Sequence, residues 1–324
     1  PCVHSRILPP SKPPSCQEDL ECGLVFVQLD SVSSVCMLGW RIAIHQGLCS
    51  REEGAVLKKG ALLGLWYRLM GPASRAVFTA SRQRAALQIS TYAVCGMTAN
   101  RFWHLLAENH FAVDPQYWAV AALIATVSLA NWLNKRREDD AHADAVGQVQ
   151  VRRPLFVLGH WRSGTTLLHE LLAQDRRFAY PNLFQVLRPD TFLTDEQGIP
   201  GRLLRLGPQK RPMDNMKFSL QSPSEDEFAL MQLCGRSPML GWVFPRRALY
   251  YDRYLTFRGV PEDEIKQWQT ALRGFLQKLT YRYRRPLAIK SPTHTGRIGL
   301  LLKTFPDARF LHIHRNPYRV FQST

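Results

Sequence analysis

Arg153-Pro-Leu-Phe-Val-Leu-Gly159-His-Trp-Arg162-Ser163-Gly164-Thr165-Thr166-Leu-Leu-His-Glu-Leu-Leu172 is the stretch around which the rest of the chain can be read. Four apolar residues, Leu155 to Leu158, follow a proline and stop at a glycine, as a short buried strand does. Gly159 and Gly164 bound a tight loop, and a helix opens near Thr165. Such a loop turns backbone N–H groups toward one point at the positive end of a helix, where an anion can sit. The phosphate-loop pattern G-x-x-x-x-G-K-[ST] is met everywhere but one place, because Thr165 stands where the triphosphate-binding Lys belongs. The cation is Arg162, inside the loop. A Lys after the second glycine reaches the γ-phosphate; a cation within the loop sits nearer the first phosphate and whatever it carries. By itself the loop also reads as an ordinary strand–turn–helix with glycines for turn geometry.

A second motif closes the chain: Pro306-Asp-Ala-Arg-Phe-Leu-His-Ile-His-Arg315-Asn-Pro-Tyr-Arg-Val-Phe-Gln-Ser323. A strand over Arg309–His314 delivers Arg315 at its C-terminal end, Asn316-Pro317 makes the turn, and a helix follows. Ser323 points back from that helix toward the strand end. An Arg and a hydroxyl converging there suit a single phosphate. An isolated Arg is more often a surface ion-pair partner, but two anion sites at two strand ends weaken that reading.

The first motif resembles the 5′-phosphosulfate loop of the sulfotransferases, in which a cation followed by Ser-Gly-Thr-Thr holds 3′-phosphoadenosine 5′-phosphosulfate (PAPS). Many members carry Lys at the position of Arg162; the bacterial branch includes Arg. The second motif resembles the family's 3′-phosphate site, with Arg315 and Ser323 matching its Arg and Ser. The resemblance implies that Gly159, Arg162, Ser163, Gly164, Thr165, Thr166, Arg315 and Ser323 bind the donor. It implies a three-layer α/β domain of the P-loop type, with a central parallel sheet, incomplete at its C-terminus. Lys290-Ser-Pro-Thr-His294 also resembles a feature of the bacterial branch. Lys290 would approach the sulfuryl group or leaving phosphate, where the plain alternative is a solvated Lys at a strand end.

Sulfuryl transfer requires stabilisation of charge on the leaving 5′-phosphate and removal of a proton from the acceptor. By analogy with phosphoryl transfer, positioning and electrostatics dominate. Loop N–H groups, Arg162, Thr165 and Thr166 serve the leaving group, and no metal is required. The base candidates lie in Gln221-Ser-Pro-Ser-Glu225-Asp226-Glu227-Phe-Ala-Leu230, similar to an acidic Pro-x-Glu-x-Glu-Phe region of bacterial members. Glu225, Asp226 and Glu227 are the acidic candidates, with Glu225 the expected base and Glu227 behind it; His160 and His294 are the other candidates. The competing reading is a capping box, Ser222 with Glu225 or Ser224 with Glu227, at a helix start. Trp242, Phe244, Tyr250, Tyr251, Tyr254 and Phe257 read mainly as core, with some lining an acceptor pocket.

Composition bounds the rest. The 324 residues, 45% hydrophobic, can build one large domain and an appendage, and the net charge is +16. Residues 1–151 carry 14 Lys and Arg against 12 Asp and Glu, whereas residues 152–324 carry 28 against 14. The basic excess lies with the loop and fits an anionic partner. Five of seven cysteines precede residue 50, none in a C-x-x-C pair, so neither a zinc site nor a disulfide framework is expected. A reducing, cytoplasmic compartment is the expectation.

Residues 1–60 show little pattern, with early prolines and no signal peptide, and read as disordered or not native coding sequence. Helical patterns occupy 61–137: Leu62, Leu63, Leu65, Trp66 and Leu69 on one face, a second helix around Arg82 and Arg84, and a third over Asn100–Ala107. Tyr117–Leu133 is the most apolar run, bracketed by Trp118 and Trp132 and followed by Lys135-Arg-Arg137. It suits a membrane interface and a buried helix equally. Residues 138–150 read as a polar linker. From Val151 strands and helices alternate, with further strands at Leu287–Lys290 and Arg309–His314 and a helix near Arg297–Phe305. Starting at Pro1 and stopping at Thr324, just inside a motif, the chain reads as a fragment at both ends. The expected function is transfer of a sulfuryl group from PAPS to a hydroxyl or amine acceptor. The rivals are an ATP-dependent kinase and a non-enzymatic basic protein that binds membranes or nucleic acid; no nucleic-acid motif is present.

Overall fold

The computed structural model describes residues 24–28, 94–195 and 219–323. The helical patterns around Leu62–Leu69 and Arg82–Arg84 lie outside them. Among the described residues four strands form one parallel sheet, β1 (Leu24–Gln28), β2 (Leu155–Leu158), β3 (Ala288–Lys290) and β4 (Arg309–His314), in the order β1-β4-β2-β3. β1 comes from the stretch that carried little sequence pattern; it pairs along all five residues with β4, Leu24 opposite Phe310 through Gln28 opposite His314.

The helices used below are α1 (Ala99–Glu108), α2 (Trp118–Gly147), α3 (Thr165–Gln174), α4 (Glu227–Cys234), α5 (Glu262–Tyr283), α6 (Ile298–Thr304) and α7 (Pro317–Ser323). β2 sits between β4 and β3, which explains its uninterrupted apolar run: Phe156, Val157 and Leu158 have no exposed surface. Phe156 meets the rings of Phe305 and Phe310 on one sheet face. Trp268, Leu272, Phe275, Leu276 and Leu279 give α5 one continuous buried face, and its first turn carries Glu262, Asp263 and Glu264, complementing the helix dipole.

The structure corrects one expectation here. Residues 138–147, read as linker, continue α2, which runs unbroken from Trp118. Its polar half is anchored: Glu138 is buried, pairs with Lys278 of α5 and accepts from the Thr194 N–H (2.9 Å) and hydroxyl (3.0 Å). The apolar half joins the core along one side. Val120, Ile124, Ser128 and Asn131 form one buried stripe, while Trp118, Leu129 and Leu133 are exposed. By length and composition the helix can cross a membrane, and its most apolar stretch is only 22% buried. The aromatic stretch is mainly core, as expected. Tyr251, Tyr254 and Phe257 are buried, and Tyr250 donates to Glu108 (2.8 Å), so these residues build packing and a polar network rather than an open pocket.

Because the strands are parallel, the C-terminal ends of β2, β3 and β4 open on the same rim. In open α/β sheets that rim is where ligands bind. Gly159, Lys290 and Arg315 are delivered there by register rather than by loop length.

Candidate active site at the strand ends

The loop after β2 turns on two glycines. Gly164 has φ +101° and Gly159 φ +154°. A Cβ on Gly159 would lie 2.6 Å from the Ile313 carbonyl and 2.7 Å from the Ser163 hydroxyl, so no other residue fits beside β4. Arg162 also occupies the left-handed region, at φ +74°, which costs a non-glycine residue about 1–2 kcal/mol. The loop holds its own shape. The Ser163 N–H (3.1 Å) and hydroxyl (2.7 Å) both donate to the His160 carbonyl, and the Gly159 N–H donates to Thr295 Oγ1 at 2.9 Å. Ser163, expected to touch the donor, is therefore turned inward and buried, because its hydroxyl closes the turn.

The two anion motifs meet. Arg315 Nη1 donates to the Arg162 carbonyl at 3.3 Å, and Arg162 Nε donates to the Ser323 carbonyl at 2.7 Å. The Ser323 hydroxyl donates to the Val320 carbonyl at 2.9 Å. The loop, the end of β4 and α7 thus form one contiguous wall. Thr165 begins α3 and is buried; Thr166, next along, accepts from Lys290 Nζ at 3.4 Å.

Lys290, at the end of β3, is almost fully buried and also donates to Glu225 Oε1 at 2.6 Å. Glu225 keeps a side-chain exposure of 20%, so its carboxylate faces both the Lys and the open rim. Lys290, Thr166 and Glu225 come from three distant segments and form one cluster.

Glu227 is not where a base belongs. Its side chain has no exposed surface, Arg297 donates to both oxygens (2.6 and 3.1 Å), and the hydroxyls of Ser237 and Thr293 donate at 2.7 Å each. Burial pushes its carboxyl up, but the Arg297 charge and hydrogen bonds, the His294 charge and Ser237 outweigh it and hold the pKa below the ordinary value. Glu227 is thus a buried ion-pair partner, and its expected catalytic role is corrected on that ground. The capping-box reading also fails, since α4 starts after Asp226 with no side-chain cap. His294 is buried, with Nε2 2.8 Å from Asp226 Oδ2. His160 is exposed, with Nδ1 2.8 Å from the Trp161 carbonyl.

His169, on α3 four residues after Thr165, fixes that helix to the sheet through a 3.2 Å contact between Nε2 and the Ala288 carbonyl. Burial and then the charge of Lys290 lower its pKa to about 3, so the ring is neutral. Asp226, a base candidate in the sequence, is instead buried against His294, and Arg297, Thr293 and Thr295 were missed by sequence reading. The only signal of the missed residues was proximity in sequence to Lys290, since each residue type is commonplace at a turn or helix start. No group of His, Cys, Asp and Glu arranged to hold a metal is found among the described residues.

This arrangement defines a parallel α/β domain with a wall made by the loop, Arg162 and Arg315 and a Lys–Glu pair at its edge. The profile of the Sulfotransferase family matches residues 154–324, and the chain belongs to that family. Two curated relatives are each 38% identical over 230 residues, 71% of this chain and 59% of their own length. They are the omega-hydroxy-beta-dihydromenaquinone-9 sulfotransferases Stf3 of Mycobacterium bovis and Mycobacterium tuberculosis. The chain thus spans 59% of the length of the curated relatives it matches. Among solved structures, sulfotransferase STF9 of Mycobacterium avium aligns over 70% of this chain and 65% of its own, at 23% identity and TM-score 0.43. STF1 of Mycobacterium tuberculosis aligns over 84% and 69%, at 17% identity and TM-score 0.39.

Proposed function

We propose that this chain carries the donor-binding and proton-removing parts of a PAPS-dependent sulfotransferase acting on a hydroxyl. The observation that carries the reading is the convergence of Arg315, Arg162, Thr166, Lys290 and Glu225 on one rim of the sheet. The fit to the donor is supported by the Gly159 turn, where a Cβ would collide, by the N-terminus of α3 and by cations at two separate strand ends.

The donor supplies the sulfuryl group and leaves with its charge on the 5′-phosphate. Arg162 and the start of α3 stabilise that charge, and Arg315 and the Ser323 hydroxyl hold the 3′-phosphate. Glu225 takes the proton from the acceptor oxygen as that oxygen bonds to sulfur and the sulfur–oxygen bond to phosphate breaks. Lys290 bridges Glu225 and Thr166 at rest, so it can turn its ammonium toward the developing phosphate charge and leave Glu225 open to the acceptor.

The curated relatives are named for an omega-hydroxylated menaquinone, and we take a hydroxyl borne on a long apolar chain as the acceptor class. The exposed Trp118, Leu129 and Leu133 beside exposed Arg136 and Arg137 on α2 support a membrane surface as the place where such an acceptor is met. The test is release of adenosine 3′,5′-bisphosphate from PAPS, with hydroxylated isoprenoid quinones compared with short alcohols, by the protein and by Arg162→Ala. Turnover that prefers the apolar acceptor and falls in the variant at saturating PAPS supports the reading; absence of turnover with either acceptor contradicts it.

A further inference from the structure

Glu225, Asp226 and Glu227 are consecutive, yet each carboxylate meets a different partner from one other segment. Glu225 meets Lys290 at 2.6 Å, Asp226 meets His294 at 2.8 Å, and Glu227 meets Arg297 at 2.6 Å. The partners are spaced four and three residues apart, so three acids and three bases interlock in sequence order. Only the first pair opens on the rim. The other two are fully buried on both sides.

Those two pairs are tied to the core at several points. The His294 ring lies edge-on to Phe156 of β2 (5.5 Å between centroids) and to Trp268 of α5 (6.2 Å). Arg297 Nε donates to the Tyr254 carbonyl at 2.9 Å, completing the three-sided hold on its guanidinium. Thr293 donates to Glu227 and shares a 2.9 Å hydrogen bond with Ser291, the residue after Lys290. The Lys290–Glu225 pair is a single bond with one member at the rim, whereas a forked Arg–carboxylate bond in a dry interior fixes both distance and direction.

We propose that the Asp226–His294 and Glu227–Arg297 pairs form a clasp that sets the register of the Glu225 segment against the Lys290 segment. Asp226, His294, Thr293 and Glu227 are then positioning residues for proton removal. This rests on Glu225 being the base. The clasp fixes the backbone on both sides of the Glu225–Lys290 pair, and the pair alone remains free to open when the acceptor arrives.

Thr293 gives the cleanest test, because Val matches its shape without the hydroxyl and Ser keeps the hydroxyl without the methyl. With PAPS saturating, Thr293→Val should lower kcat about tenfold, since slight misplacement of a reacting group is costly. Thr293→Ser should stay near the parent. Both should keep the parent's acceptor KM and its affinity for adenosine 3′,5′-bisphosphate, which a general loosening of the fold would not spare. Asp226→Asn should repeat the Val pattern. A Thr293→Val variant with parental kcat, or one losing kcat and bisphosphate affinity together, overturns the clasp. Glu225→Gln separates the two ideas. If it is inactive while Thr293→Val is fully active, the clasp alone fails; if it is fully active, the base assignment fails and takes the clasp with it.

Discussion

The loop after β2 and the acidic triplet at the start of α4 use charged residues in opposite ways. In the loop, Arg162 sits half-buried in a left-handed conformation, held by backbone geometry and by contacts to α7 and β4. At the triplet, Asp226 and Glu227 are sealed from water, and both oxygens of Glu227 are engaged. On the function proposed above, charge at the loop meets an anion from outside, whereas the charges of Asp226 and Glu227 are paired within the protein. Glu225 and Lys290 stand on the border between the two, which is why they are the pair to which we assign chemistry.

The sharpest way to break that contrast is Glu225→Gln. Removing a general base costs on the order of 10²–10⁴ in rate, and the account expects kcat to fall about a thousandfold with the fold intact; steady-state assays with PAPS check it. Arg297→Ala probes the sealed side. Leaving Glu227 buried without its partner should destabilise the domain by roughly 3–5 kcal/mol, read as the shift in a urea midpoint, before any effect on chemistry can be measured. The same change at an outward-facing charge such as Arg177, whose partner Asp175 lies two residues away on the surface, should leave the urea midpoint nearly unmoved.

A smaller effect comes from pH. His169 has its folded pKa lowered to about 3, below its ordinary 6.5, so the unfolded chain takes up the proton first. Its contribution to stability is complete above pH 6.5 and is lost as pH falls toward 3, at up to about 1.4 kcal/mol per pH unit. His169→Gln, which keeps a donor for the Ala288 carbonyl and does not titrate, should flatten the difference between urea melts at pH 7 and pH 5. An unchanged difference would remove His169 from the acid response.

The strand ends were legible in the sequence because each is marked by a break in pattern. Gly159 follows an apolar run, Lys290 precedes Ser-Pro, and Arg315 precedes Asn-Pro, so each strand announces where it stops. A parallel sheet then brings the stops together. The partners of Asp226 and Glu227 were not legible, because a capping acid and a buried ion-pair acid look identical until the far segment is known. The polar half of α2 was misread for a related reason. Glu138 among charged neighbours looks solvated, and only Lys278, 140 residues away, shows that it is buried. β1 carried too few residues of pattern to stand out from its surroundings.

The central claim is that one adenine nucleotide is gripped at both ends, its 3′-phosphate by Arg315 and its 5′-phosphate by the loop. Isothermal titration of the protein and of Arg315→Ala, each with adenosine 3′,5′-bisphosphate and with AMP, tests it directly. The account predicts that the bisphosphate binds the parent protein more tightly than AMP does by about tenfold or more, and that Arg315→Ala removes this advantage while leaving AMP affinity nearly unchanged. Equal affinities for the two ligands in the parent protein, or equal losses in the variant, would contradict it.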